Sequence, residues 1–253
     1  MEDLQALFRW SHIIAGIIWI GLLYFFNFVN SAFAPTMDAD SKKKVIPELL
    51  PRALYWFRWG AAWTWVTGVL LLLIVFYHQQ QMFDPNNPDA GWTTGAFAML
   101  AVTFLGVFVY DTLFNMVKNT QVAVAIGFIL LVGANYGFIH WGNFEYRAFV
   151  IHTGTLFGTI MAFNVWFRIW PAQQKIIPAI KEGKAPDADL VSLAGLRSKH
   201  NTYLSVPLIW TMINVHHAGT TPQNEWWYLP VIVLIGWGVV YLLYKKASKV
   251  KGF

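Results

Sequence analysis

Long apolar runs alternate with short polar stretches along the whole chain, and the length of the runs settles the fold class first. A bilayer core about 30 Å thick is crossed by about 20 helical residues. On that ruler seven segments predict membrane spans: 8–30, 54–78, 92–117, 121–140, 147–170, 202–216 and 227–244. The sixth is the shortest and carries Pro207, which a span tolerates where neighbouring helices satisfy the freed carbonyl. The pattern predicts an all-α polytopic membrane helix bundle, a single integral domain over 1–253. Residues 171–199 are its longest loop, expected to be partly helical.

The basic residues orient the bundle, because loops rich in Lys and Arg stay cytoplasmic. Lys42, Lys43, Lys44 and Arg52 fall between spans 1 and 2, and Lys118 between 3 and 4. Lys175, Lys181, Lys184, Arg197 and Lys199 fall between 5 and 6, and Lys245, Lys246, Lys249 and Lys251 follow span 7. The connections 79–91 and 217–226 contain neither Lys nor Arg. Seven alternating spans put fourteen of the 18 basic residues on one side, which predicts an outside N-terminus, a cytoplasmic C-terminus and a bacterial inner-membrane location. Met1-Glu2-Asp3 leads straight into the first apolar run, unlike the basic start of a cleaved leader.

Composition narrows the chemistry. Of 253 residues, 57% are hydrophobic and 12% charged, about half the charged share of a soluble domain. The net charge of +5 is therefore read as membrane orientation, with no nucleic acid as partner and the lipid bilayer as solvent. The chain has no cysteine, which excludes disulfides, thiolate metal sites and covalently attached haem. A metal would be held by His, carboxylate or Met. No G-x-G-x-x-G or Walker sequence supports a nucleotide site.

Six of the seven histidines fall toward the predicted outer side. His78, His140, His216 and His217 end spans, whereas His12 and His152 lie about one turn inside apolar helix. A neutral imidazole at such a depth needs a partner. Two of them facing one another would hold a b-type haem, since imidazole suits iron and the macrocycle is mostly apolar. Small residues beside them leave room for a flat ring: Gly16, with Trp19 further along, on the first span, and Thr155 with Gly154 and Gly158 on the fifth. The same small residues suit plain helix packing, and a membrane histidine also serves as a packing residue or proton relay. His12 and His152 are the expected axial pair, with His216 as substitute and His216-His217 as an alternative copper or other imidazole-metal site. Toward the other side lie Asn27, Arg58, Asp111, Asn115, Asn164, Arg168 and His200. Asp111 calls for a counter-ion, Arg58 or Arg168, and the group suits a quinone head, a small anionic substrate, the propionates of a second haem or an ion-pair brace.

Several stretches, taken in order, resemble one family. They are Arg9-Trp10-Ser11-His12, Ala15 to Gly21, Trp56-Phe57-Arg58-Trp59, Thr64 to Gly68, Arg147 to Gly154, Gly158 to Met161, Asn164-Val165, Pro171 to Gln174, Arg197 to Tyr203 and Met212 to His216. This pattern is similar to the membrane-embedded N-terminal region of the bacterial urate oxidases (urate hydroxylases) that carry a cytochrome c domain. The resemblance implies a membrane oxidoreductase module that hands electrons to cytochrome c, with His12, His152, His200 and His216 as the histidines at matched positions. Two departures stand out: Tyr55 and Gly60 occupy places where the resemblance implies a histidine and an acidic residue.

The leading expectation is a haem b electron-transfer protein serving a periplasmic cytochrome c or a larger respiratory complex. A second is a urate- or purine-oxidising enzyme with Asp111, Arg168 and His200 at its substrate. A third is a structural subunit or permease without redox chemistry.

Overall fold

The computed structural model describes residues 2–216 and 225–250. Among them the chain is helical with turns and contains no strand. Helix α1 (Glu2–Tyr24) continues through a π segment, Phe25–Asn30, to Thr36, and α2 (Ala39–Leu72) continues through a second, Leu73–His78. Helices α3 (Thr94–Met116) and α4 (Thr120–His140) follow. Helix α5 (Tyr146–Asn164) runs through a third π segment, Val165–Ile169, into α6 (Trp170–Lys181), and α7 (Ala188–Asn214) and α8 (Tyr228–Ala247) complete the order.

Six stretches are long and apolar enough to cross a membrane: Glu2–Thr36, Ala39–His78, Thr94–Met116, Thr120–His140, Tyr146–Lys181 and Tyr228–Ala247. The protein is a multi-pass membrane protein. The weakest predicted span, 202–216, is the second half of α7, which does not reach that apolarity. Its inward face carries Asn201, Thr202, Ser205, Thr211 and Asn214, all buried, so hydropathy undervalues a helix whose polar groups meet protein rather than lipid. The stretch 171–199 is more helical than its composition suggests, being taken up by α6 and the start of α7.

Chain contacts divide the protein into two compact units. The first comprises Gly68–Ile160 and Val206–Gly236, around a core of Leu72, Phe76, Met82, Met99, Phe138, Phe144, Phe149 and Leu229. Within it α3 and α4 form an antiparallel hairpin whose turn is closed by Asn119, which accepts from the N–H groups of Gln121 and Val122 at 3.0 and 3.2 Å. Glycines set the close contacts. A Cβ on Gly154 would collide with Thr211, and one on Gly236 would stand 2.9 Å from the Pro207 ring.

The second unit comprises Glu2–Thr67, Met161–Ser205 and Trp237 onward. Here α1 and α2 run antiparallel. A Cβ on Gly60 would lie 3.1 Å from the Trp19 amide nitrogen and 3.2 Å from the Ala15 carbonyl, so this pair of helices touches backbone to backbone. Small residues at such a crossing are what helix association in lipid demands.

Candidate functional site

A histidine inside an apolar helix must find partners from its own unit, and His152 does. Its side chain is fully buried. Nδ1 lies 2.6 Å from the Ala148 carbonyl, an atom that only accepts, so Nδ1 carries the hydrogen and Nε2 is left as the acceptor. The Tyr77 hydroxyl stands 3.0 Å from Nε2 and donates to it. Phe144, Phe138 and Phe76 surround the imidazole, with ring centroids 4.9, 6.2 and 6.3 Å away. Tyr77 in turn meets Trp92 at 5.8 Å, and Trp92 meets Phe83 at 5.4 Å.

Tyr77 reaches this position from a π segment, Leu73–His78. A π turn inserts an extra residue and rotates the following side chains about the helix axis, a device common at functional sites. The other two π segments act in the same way in the second unit. From Phe25–Asn30, Asn27 donates to Ser198 at 2.8 Å and accepts from the Tyr244 hydroxyl at 2.8 Å. From Val165–Ile169, Trp166 donates to the Arg58 carbonyl at 2.9 Å. Beside it Asn164 donates to Asn201 at 2.9 Å, and Asn201 donates to the Met161 carbonyl at 2.9 Å. These groups, with buried Arg197, form a polar interior shared by α1, α5, α7 and α8.

The expected site residues divide between the units. His152, Thr155, Asp111 and His216 belong to the first. Thr155 returns its hydroxyl to the Ile151 carbonyl at 2.8 Å, Asp111 accepts from Asn115 at 3.0 Å, and His216 is exposed. His217 lies outside the described residues. His12, Gly16, Trp19, Arg168 and His200 belong to the second. His12 is half-buried with Nδ1 3.2 Å from the Thr67 hydroxyl, and Trp19 is buried. A Cβ on Gly16 would meet only the Thr64 methyl at 3.9 Å, an ordinary contact. Arg58, one of the two counter-ions expected for Asp111, lies over the Trp170 ring at 4.0 Å, and Arg168 lies over Phe163 at 5.6 Å. His200 is half-buried. Among the described residues no three His, Asp or Glu side chains converge where a metal would sit.

Glu145 stands at the edge of the His152 cage, next to Phe144. Its two carboxylate oxygens each accept from the Arg147 N–H at 3.2 Å, closing the start of α5. Burial, with Asp84 adding to it and Arg147 opposing it, pushes this carboxyl above its ordinary 4.5. A raised carboxyl binds its proton more tightly folded than unfolded. Its contribution to stability is therefore complete below about pH 4.5 and is lost as pH rises through the folded value. Thermal melts followed by tryptophan fluorescence are expected to fall across that window, and Glu145→Gln to flatten the fall. An unchanged slope in the variant would contradict the assignment.

Comparison with known proteins adds one finding. A family model described as Urate oxidase N-terminal matches residues 38–251, and no curated protein or solved structure matches. The match covers most of the chain, from the start of α2 to beyond α8, so the protein belongs to the urate oxidase N-terminal family.

Proposed function

We propose that the protein is the membrane-embedded oxidoreductase module of a urate-oxidising system, delivering electrons to a periplasmic cytochrome c or a larger respiratory assembly. Family membership supports the reaction class. The pairing of half-buried Tyr77 with buried His152 is the observation that carries a role for this chain's own residues. Oxidation of a purine with water releases protons as well as electrons, and the electrons leave to a one-electron carrier. Protons need a path of their own, because an apolar interior does not conduct them. A phenol and an imidazole 3.0 Å apart pass a proton without moving heavy atoms, and the Ala148 carbonyl keeps the imidazole in the tautomer that receives it. Because a carbonyl does not take the proton on, the imidazole holds it and returns it through Tyr77.

Haem b is the carrier the histidine pattern calls for. His152 presents the nitrogen iron would take, with the other nitrogen anchored on a carbonyl as in many histidine ligands. That nitrogen is engaged by Tyr77, however, and three phenylalanine rings close around the imidazole. The cage as folded does not fit a macrocycle, and the proposed role of His152 is to accept a proton.

The test uses membranes containing the full chain, with ferric cytochrome c as acceptor. Urate is expected to drive cytochrome c reduction. Tyr77→Phe is expected to lower kcat by about a hundredfold, to leave KM unchanged and to weaken the solvent isotope effect. Full turnover in Tyr77→Phe would remove the relay. A Soret band in the purified protein that disappears in His152→Ala would make His152 a ligand instead.

A further inference from the structure

Two open grooves on the second unit share one residue, Trp56. The first, about 560 Å³, is lined by Glu48, Arg52, Tyr55 and Trp56 together with Pro47 and Pro51. The second, about 520 Å³, is lined only by apolar side chains and a glycine: Ile17, Ile18, Gly21, Leu22 and Trp56. One has the chemistry of a headgroup site and the other that of a hydrocarbon slot.

Their order along the helices matches an amphiphile. Gly16 faces Thr64, and Gly60 faces Ala15 and Trp19, so successive residues of α1 oppose receding residues of α2. In that register Leu22 and Gly21 lie just beyond Trp56, and Ile18 and Ile17 further from Arg52. The series from Arg52 to Ile17 spans about 15 Å at 1.5 Å per residue, comparable to an acyl chain. Trp56 stands where polar lining gives way to apolar lining, the level at which indole rings sit in a bilayer. Pro47 and Pro51 lie inside α2, and their missing N–H groups leave the Lys43 and Pro47 carbonyls without helical donors. That backbone suits a hydrated interface.

Charge selects the headgroup. Arg52 uses Nη1 on the Glu48 carboxylate at 2.7 Å and on the Glu48 carbonyl, which leaves the Nε and Nη2 hydrogens of the guanidinium as donors. Lys42, Lys43 and Lys44 precede it on α2, and Lys43 extends to Gly183 at the end of α6. A phosphate gains charge-assisted hydrogen bonds from Arg52 and a favourable field from the lysines about two to three turns away, whereas a neutral quinone head gains less. We propose that the paired grooves beside Trp56 hold one anionic phospholipid, its phosphate at Arg52 and one acyl chain along Gly21 and Ile17.

Gly21 makes the test clean. A Cβ there meets nothing within 4 Å, and Gly21 itself lines the slot, so Gly21→Leu directs its side chain into the slot. The full chain is placed in nanodiscs of equal phosphatidylglycerol and phosphatidylcholine, released into detergent and weighed by native mass spectrometry. One phosphatidylglycerol is expected to remain per chain, favoured at least fivefold over phosphatidylcholine. Gly21→Leu is expected to lower its retention at least fivefold, and Arg52→Gln to erase the preference between the two lipids. Equal retention of both lipids by the unaltered chain would overturn the proposal. So would undiminished retention in Gly21→Leu, or displacement of phosphatidylglycerol by an equimolar prenylquinone.

Discussion

His152→Ala is expected to lower the melting temperature in detergent by about 10 °C, equivalent to about 3 kcal/mol for a chain of this size. Two losses combine. Removing a fully buried ring leaves a void walled by Phe76, Phe138 and Phe144, which packed neighbours fill only in part. It also leaves the hydroxyl of half-buried Tyr77 without its acceptor, which costs about 1 kcal/mol, the lower end of the range for a buried donor without a partner. Neither loss depends on a cofactor, so the shift belongs to the packing of the first unit alone. His152→Gln retains a side-chain acceptor and is expected to recover part of the shift. The many tryptophans of the chain, 14 in all, supply the signal without a label. A change under 2 °C in His152→Ala would mean that the cage contributes little to the fold.

Gly95→Ala is expected to be comparably damaging by the opposite mechanism. Gly95 lies in the first turn of α3, where an added Cβ would collide with the Trp141 carbonyl oxygen and stand 2.8 Å from its carbon. Both atoms are backbone at the end of α4, so no side chain can rotate away and the helices of the hairpin must separate. Overpacking of this kind costs about 1–3 kcal/mol, occasionally more, and the rigid obstacle places Gly95→Ala at the upper end. Gly133 supplies the control. It lies within α4 with open space where its Cβ would be, and Ala in a helix interior is favoured over Gly by about 0.5–1 kcal/mol. Equilibrium unfolding in a denaturing detergent is expected to separate the two alanine variants clearly. Equal stability of Gly95→Ala and Gly133→Ala would show that the hairpin yields at its end.

The difference between these two glycines marks where sequence reading stops. Both sit in apolar helix and follow the same local rules, yet one is pressed against a carbonyl and the other faces open space. The same holds for Gly154, expected to make room for a ring and in fact pressed against Thr211 on α7. The histidines divide in a similar way. Their concentration in the chain marks His152 as unusual, because an imidazole inside an apolar run demands a partner. No local signal names that partner as Tyr77, which is 75 positions away and turned inward by a π segment. Asn27 and Trp166 likewise depend on π segments, which no hydrophobic period announces.

The run lengths and hydropathy of the chain were enough to make it an all-helical, multi-pass membrane protein, because a backbone in lipid must satisfy its own hydrogen bonds and helices do so within one segment. The ordered stretches from Arg9 to His216 were enough to point to its family. Which imidazole is caged, which glycine is a contact and which polar groups meet were decided only by tertiary structure. Those properties depend on pairs of residues tens of positions apart and on the rotation of each helix about its axis.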